Sequence, residues 1–292
     1  MSALFALVRT PIAPLQKEPH VQGAQLTQAL FGYPLLVVET DGDWHRLRGV
    51  NDGYEGWTHR GYVRLIEVPE VEGADAVAPY EQRTFVVRDG DGEGDADGGP
   101  AGALAAFGGD GAALPAVSLG CTVVAGARRL RLPLGALVAA SQSILAGEIV
   151  PLGERGVQFP RDGDAIVRTA ARWFEGTPYQ WGGVTPWGAD CSGLVQSVFR
   201  LHGVELPRDA WQQALVGDPL DPDPAALAAG DLLFFSDRED AWVTHVAISA
   251  GEGRVAHLAL GRGGWAVDEL AEPDDDYTER LRGRLTAARR VL

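Results

Sequence analysis

Two cysteines occur in this 292-residue chain, Cys121 and Cys191. Cys191 follows Asp190 directly, within YQWGGVTPWGADCSGLVQSVFRLHG at 179–203. A thiolate is the form that attacks a carbonyl carbon, and it needs a base to make it. Two of the six histidines, His245 and His257, fall within WVTHVAISAGEGRVAHLAL at 242–260. A nucleophile, a base and a group that orients the base form an activation set. The plainer alternatives are a small buried thiol for Cys191 and ordinary polar roles for either histidine.

Two elements must position these residues. Leu194, Val195, Val198, Phe199 and Leu201 recur at helical spacing and predict an amphipathic helix starting at Cys191. Asp190 suits its N-cap, and Gly203 suits a left-handed stop. Cys191 then lies in the first turn, where the helix dipole favours a thiolate. The histidine stretch predicts two strands around a Gly-rich turn. Val243, His245, Ala247 and Ser249 share one face; Val255, His257 and Ala259 share one face of the partner. A hairpin centred on Gly251 sets His245 directly opposite His257, with Cβ atoms roughly 4.5–5.5 Å apart.

Six stretches in this order, YQWGG, DCSGLVQ, LPRDAWQQ, GDLLFF, THVAI and VAHLAL, resemble the NlpC family of papain-like cysteine peptidases. The resemblance covers about 160 to 292. It implies Cys191 as nucleophile, His245 as its base and His257 as the residue orienting that base. It also implies Tyr179 as an oxyanion donor beside the backbone N–H of Cys191. No cofactor is expected.

Family members built this way cut bacterial wall peptides between γ-linked D-glutamate and the following diamino acid, and some require a free N-terminal L-alanine. By resemblance, Asp190 and Tyr54 are expected to hold that amine. Trp181, Ser192 and Asp209 stand where family members contact the peptide. Gly32-Tyr33 replaces a frequent Gly-Glu, and Ala210 a frequent serine; both bear on specificity. The rival expectations are a secreted hydrolase of intact wall, a cysteine amidase or acyltransferase, and a non-catalytic peptide holder.

Net charge is −15, which argues against nucleic acid and anionic polymers as electrostatic partners. The expected partner is a murein peptide, and the expected state a monomer. No stretch approaches the roughly 20 apolar residues of a membrane span. The first residues, MSALFALVRT, lack a basic region ahead of a short apolar run, so a cytoplasmic location is expected. Two cysteines are too few for a Cys-rich zinc site. A calcium-loop look-alike starting at Asp89 has Pro100 at its twelfth position, where a glutamate is needed. No metal site is expected.

Residues 1–67 read as short strands with Gly/Asp turns. With Trp44 and the GYEGW of 53–57 they resemble a bacterial SH3-like domain, with Trp44 and Trp57 expected in its core. Residues 68–78 read as a linker. Residues 79–155 hold further strands, RTFVV, AVSLGCTVVAG, RRLRLPLGALVAA and SILAGE, around a long Gly/Asp/Ala loop. They are taken as a second, divergent SH3-like domain. A linker at 150–164 and a helix capped by Asp162 or Asp164 lead into the domain at 160–292. That helix is expected to bury Ile166, Ala170, Trp173 and Phe174. The expected fold is α+β, a papain-like NlpC-type domain preceded by two small all-β SH3-like barrels.

Overall fold

The computed structural model describes residues 3–68, 115–139 and 142–292. They form two compact units, one ending at Glu154 and the other beginning at Arg155. Most of the linker at 68–78, the RTFVV strand and the Gly/Asp/Ala loop lie outside the described residues.

The first unit is built of antiparallel strands. Seven short ones, from Ala3–Val8 to Val63–Val68, share a sheet; Ala6, Val8, Ala13, Leu15, Leu35 and Leu47 pack as its core. Three longer strands, Ala116–Ala125, Arg128–Val138 and Ile144–Pro151, make a second sheet with the first of them in the middle. The two sheets meet at Gly32. Its φ is +81°, and a Cβ there would lie 2.3 Å from the Leu137 carbonyl oxygen. That explains the glycine of Gly32-Tyr33 by backbone packing.

Trp44 and Trp57 depart from their expected core positions. His45 and Leu47 on one strand, and Gly56 and Thr58 on its neighbour, point inward. Strand alternation sends both tryptophans to the other face, half-buried. The Trp44 ring sits edge-on to His59 at 5.4 Å.

In the second unit, the helix Gly163–Phe174 is capped by Asp162, whose side chain accepts from the N–H of Ala165. Ile166, Ala170 and Phe174 are buried; Trp173 is only half-buried, with the Arg172 guanidinium 4.5 Å from its ring centre. Helical turns occupy Leu152–Gln158, within the expected linker. The sheet has six strands in the order Asp218–Leu220, Leu285–Arg290, Leu232–Phe235, His245–Gly251, Arg254–Ala259 and Gly264–Glu269. The first of these is an edge strand. Leu227, Leu233, Phe235, Ala247, Val255, Leu270, Leu281 and Ala288 form one core cluster. Asp231 of GDLLFF binds Arg290 with two contacts of 2.7 Å and accepts from the N–H of Ala228, so this carboxylate fastens a turn.

Candidate active site

The Cys191 helix runs Cys191–Leu201, with Gly203 at φ +75° just beyond it. The Asp190 side chain accepts from the N–H of Gly193 at 2.7 Å, which caps the helix, and from the N–H of Gly182 at 2.8 Å. The glycine of DCSG is a packing requirement, because a Cβ on Gly193 would lie 2.0 Å from the Gly183 carbonyl oxygen. The turn at 182–189 is thereby pressed against the helix start.

Arg208 was missing from the sequence reading. It is 2% exposed and grips Asp190 with Nη1–Oδ1 at 3.0 Å and Nη2–Oδ2 at 2.7 Å. It also donates to Ser192 Oγ at 2.8 Å. Ser192 in turn donates to Asp190 Oδ1 at 3.3 Å. The Asp190 carboxylate thus faces five donors, where two oxygens offer about four lone-pair sites. Its work in this unit is to cap the helix and neutralise Arg208. The LPRDAWQQ segment is tied to the same place: Gln213 Nε2 donates to the carbonyls of Ser192 and Pro207, and Gln196 to that of Leu206.

The Cys191 sulfur accepts from the backbone N–H of Val246 and of Ser192. The ladder between His245–Gly251 and Arg254–Ala259 begins only at Ile248 opposite Ala256. Val246 lies before that point, so its N–H is outside this ladder and can serve the thiol.

The hairpin register differs from the expectation by two residues. Ser249 opposes Val255, and continuing that register sets Ala247 opposite His257. The tip is Glu252-Gly253, with φ of 54° and 78°, rather than Gly251. The positive φ values of these two residues match a type I′ turn, Gly251 before them is also left-handed at φ 78°, and a bulge between Ser249 and Gly251 completes the offset. A shift of two preserves the face. His245 and His257 become diagonal neighbours, close enough for Nε2 of His245 to meet Nδ1 of His257 at 2.9 Å. His257 Nε2 continues to Asp268 Oδ2 at 2.9 Å, and Arg262 Nη2 reaches Asp268 Oδ1 at 2.8 Å. Asp268 and Arg262 also escaped the sequence reading. The signal was present: GRGG at 261–264 is a turn, and the strand after it alternates Ala266 and Asp268.

Electrostatics overturn the expected thiolate. Burial, reinforced by the Asp190 carboxylate next door, pushes the Cys191 thiol up to about 12. The N–H donors and Arg208 offset only part of this. Burial also holds the His245 imidazole well below its ordinary value of 6.5; His257 adds to the effect and Asp268 opposes it. At neutral pH the resting pair is a neutral thiol beside a neutral imidazole. Burial raises the Tyr179 hydroxyl as well, with Cys191 and Asp190 adding to the shift and Arg208 opposing it. It is a protonated donor in the same neighbourhood.

The remaining predicted residues are more exposed. Trp181 is 68% exposed, and Asp209, half-buried, sits at the N-cap of the short helix Ala210–Gln213. Trp211 of that helix meets Trp242 with ring centres 5.0 Å apart. Tyr54 belongs to the first unit, where its N–H donates to Asp52 Oδ1 at 3.0 Å. Cys121 is a free thiol of the first unit, 1% exposed.

Residues 176–279 match the NlpC/P60 family, and residues 15–60 match the bacterial dipeptidyl-peptidase Sh3 domain. A gamma-D-glutamyl-L-lysine dipeptidyl-peptidase of Bacillus subtilis is 38% identical over 119 residues, 40% of this chain and 38% of that protein. One from Bacillus cereus is 37% identical over 130 residues, 44% of this chain and 36% of that protein. The probable endopeptidase NlpC of Escherichia coli is 37% identical over 91 residues, 31% of this chain and 58% of that protein. The chain thus spans less than two fifths of the length of the two dipeptidyl-peptidases. The crystal structure of an NlpC/P60 family protein from Bacillus cereus superposes with TM-score 0.67 at 19% identity, over 99% of both chains, a likeness of fold. Residues 176–279, which hold Cys191, His245 and His257, thus carry an NlpC/P60 domain, after a bacterial dipeptidyl-peptidase Sh3 domain at 15–60.

Proposed function

We propose that the protein is a cysteine endopeptidase that hydrolyses the γ-D-glutamyl-diamino acid bond of peptidoglycan-derived peptides. The observation that carries the reading is the thiol of Cys191 held at Val246, next to a His245 whose far nitrogen is engaged by His257 at 2.9 Å. The names of the Bacillus relatives support the choice of bond.

In this reading His245 Nδ1 takes the thiol proton as sulfur attacks the γ-carbonyl carbon. The N–H of Cys191 and the Tyr179 hydroxyl receive the oxyanion. The histidine returns its proton to the leaving amine, and water activated by the same nitrogen releases the acyl group. A neutral thiol–imidazole pair makes proton transfer part of the attack.

A free N-terminal L-alanine, a cytoplasmic place and a role in murein peptide recycling extend the proposal. The amine would be met by Asp190, where an ammonium must share a carboxylate already serving five donors. Trp181, Ser192 and Asp209 would line the peptide site.

The test is mass spectrometry of L-Ala-γ-D-Glu-L-Lys, its N-acetylated form and muropeptides, incubated with reduced wild type and Cys191→Ala. Release of L-Ala-D-Glu by wild type alone is expected. Equal rates on the N-acetylated peptide would remove the amine requirement, and cleavage of muropeptides only would favour a wall hydrolase. Products captured by an added amine instead of water would make it an acyltransferase. An alanine variant as active as wild type would end the assignment of Cys191.

A further inference from the structure

The nitrogen that His245 offers to Cys191 is decided two residues beyond His245 itself. On the strand Gly264–Glu269, Ala266 opposes His257 and Asp268 opposes Val255. Asp268 is therefore the diagonal neighbour of His257, as His257 is of His245. The three side chains cross three strands in one line, linked at 2.9 Å and 2.9 Å. Arg262, in the turn joining the last two strands, binds Asp268 at 2.8 and 3.3 Å. Arg262 is itself fixed by Asp275 at 2.8 Å and lies 4.3 Å from the Tyr277 ring centre.

Burial alone would raise the Asp268 carboxyl, but its bonds to His257 and Arg262 outweigh that and hold it below its ordinary range. At neutral pH it is ionised and can only accept. His257, 0% exposed, must then carry its hydrogen on Nε2 when neutral, which leaves the Nδ1 lone pair facing His245. That lone pair accepts from Nε2–H of His245, and Nδ1 of His245 is left bare. We propose that Asp268 is a positioning residue that selects, through His257, the His245 nitrogen that receives the Cys191 proton.

The step balances without another reactant. The S–H bond breaks and an N–H bond forms at Nδ1. The sulfur pair forms the S–C bond, and the carbonyl π pair moves to oxygen. The imidazolium so formed donates from Nε2 into a chain that ends on a carboxylate. This deepens the peptidase reading and rests on it for the rate measurement.

Two substitutions separate tautomer control from a structural role. In Asp268→Asn, Arg262 holds the amide oxygen and turns the NH₂ group toward His257. The hydrogens along the chain then reverse, and His245 presents Nδ1–H to the thiol. Asp268→Ala imposes no tautomer. We expect kcat to fall on the order of 10³-fold for Asn, by analogy with the wrong-tautomer effect in serine proteases, and less for Ala, with KM changed by less than about threefold in both. A structural role gives the opposite order, because the isosteric amide keeps more bonds; Asn as active as Ala, or more so, overturns the proposal. Nitrogen-15 NMR of the imidazoles in Cys191→Ala, with Asp268 intact, tests it without any turnover. Nε2–H on both histidines is expected, and Nδ1–H on His257 overturns it. If wild type cleaves no peptide, the peptidase reading fails while the NMR result still decides the tautomer.

Discussion

Two buried aspartates flank the site, each 7% exposed at its side chain and each gripped by an arginine, yet they act on different things. Asp190 is spent on fixing the helix start: it takes two backbone N–H groups, a hydroxyl and the almost completely buried Arg208. Asp268 receives Arg262, which is 27% exposed, on both oxygens and shares Oδ2 with an imidazole. The first pair fixes where the sulfur sits; the second bears on which atom can take its proton. A carboxylate beside the nucleophile would be costly if it stood alone, since it opposes thiolate formation. Its saturation by Arg208 limits that cost.

Breaking the first pair is the largest perturbation. Arg208→Met leaves the Asp190 charge buried without its partner and should cost about 3–5 kcal/mol of stability, read by denaturant unfolding of the whole chain. Adding Asp190→Asn should restore part of the loss, because a neutral amide no longer needs the guanidinium. A loss below about 1 kcal/mol for Arg208→Met would show that solvent reaches the pair and would erase the contrast with Asp268.

The histidine side should respond to pH. His245 has a folded-state value well below 6.5, so below pH 6.5 the unfolded chain binds the proton that the folded chain refuses. Stability then falls as pH drops from 6.5 toward the folded value. Cys191 is the mirror case. With its thiol pushed up to about 12, the unfolded chain loses its proton first, and stability falls as pH rises above about 8.5. Thermal unfolding against pH should flatten on the acid side in His245→Asn and on the alkaline side in Cys191→Ala. In kcat/KM the acid limb should lie below pH 6.5; a limb at or above 6.5 would contradict a buried neutral base.

Breaking the second pair should matter least to folding. Arg262→Gln removes a partly exposed partner, with an expected loss of about 1 kcal/mol in stability. A comparable effect on the barrier would lower kcat about fivefold. A loss of stability as large as that of Arg208→Met would make the two pairs equivalent.

The sequence already contained the helix at Cys191, its Asp190 cap and its Gly203 stop, because these depend on residues within one or two turns of each other. The faces of His245 and His257 were legible for the same reason, since strand alternation is local. Their register was not. It depended on Glu252-Gly253 forming the tip, within a run of three positive φ values from Gly251 to Gly253, and on a bulge at Ser249–Gly251. The half-buried Trp44, Trp57 and Trp173 show the same limit, since aromatic type favours burial but the neighbouring elements decide it.

What the chain determined by itself was therefore the identity of the reacting groups and the elements that bear them. Only the tertiary structure paired Arg208 with Asp190 across 18 residues and lined His245, His257 and Asp268 along one sheet face. It also decided the protonation of the thiol. A helix terminus favours a thiolate by a modest electrostatic term, visible in sequence, whereas desolvation is set by everything packed around the sulfur and here exceeds it.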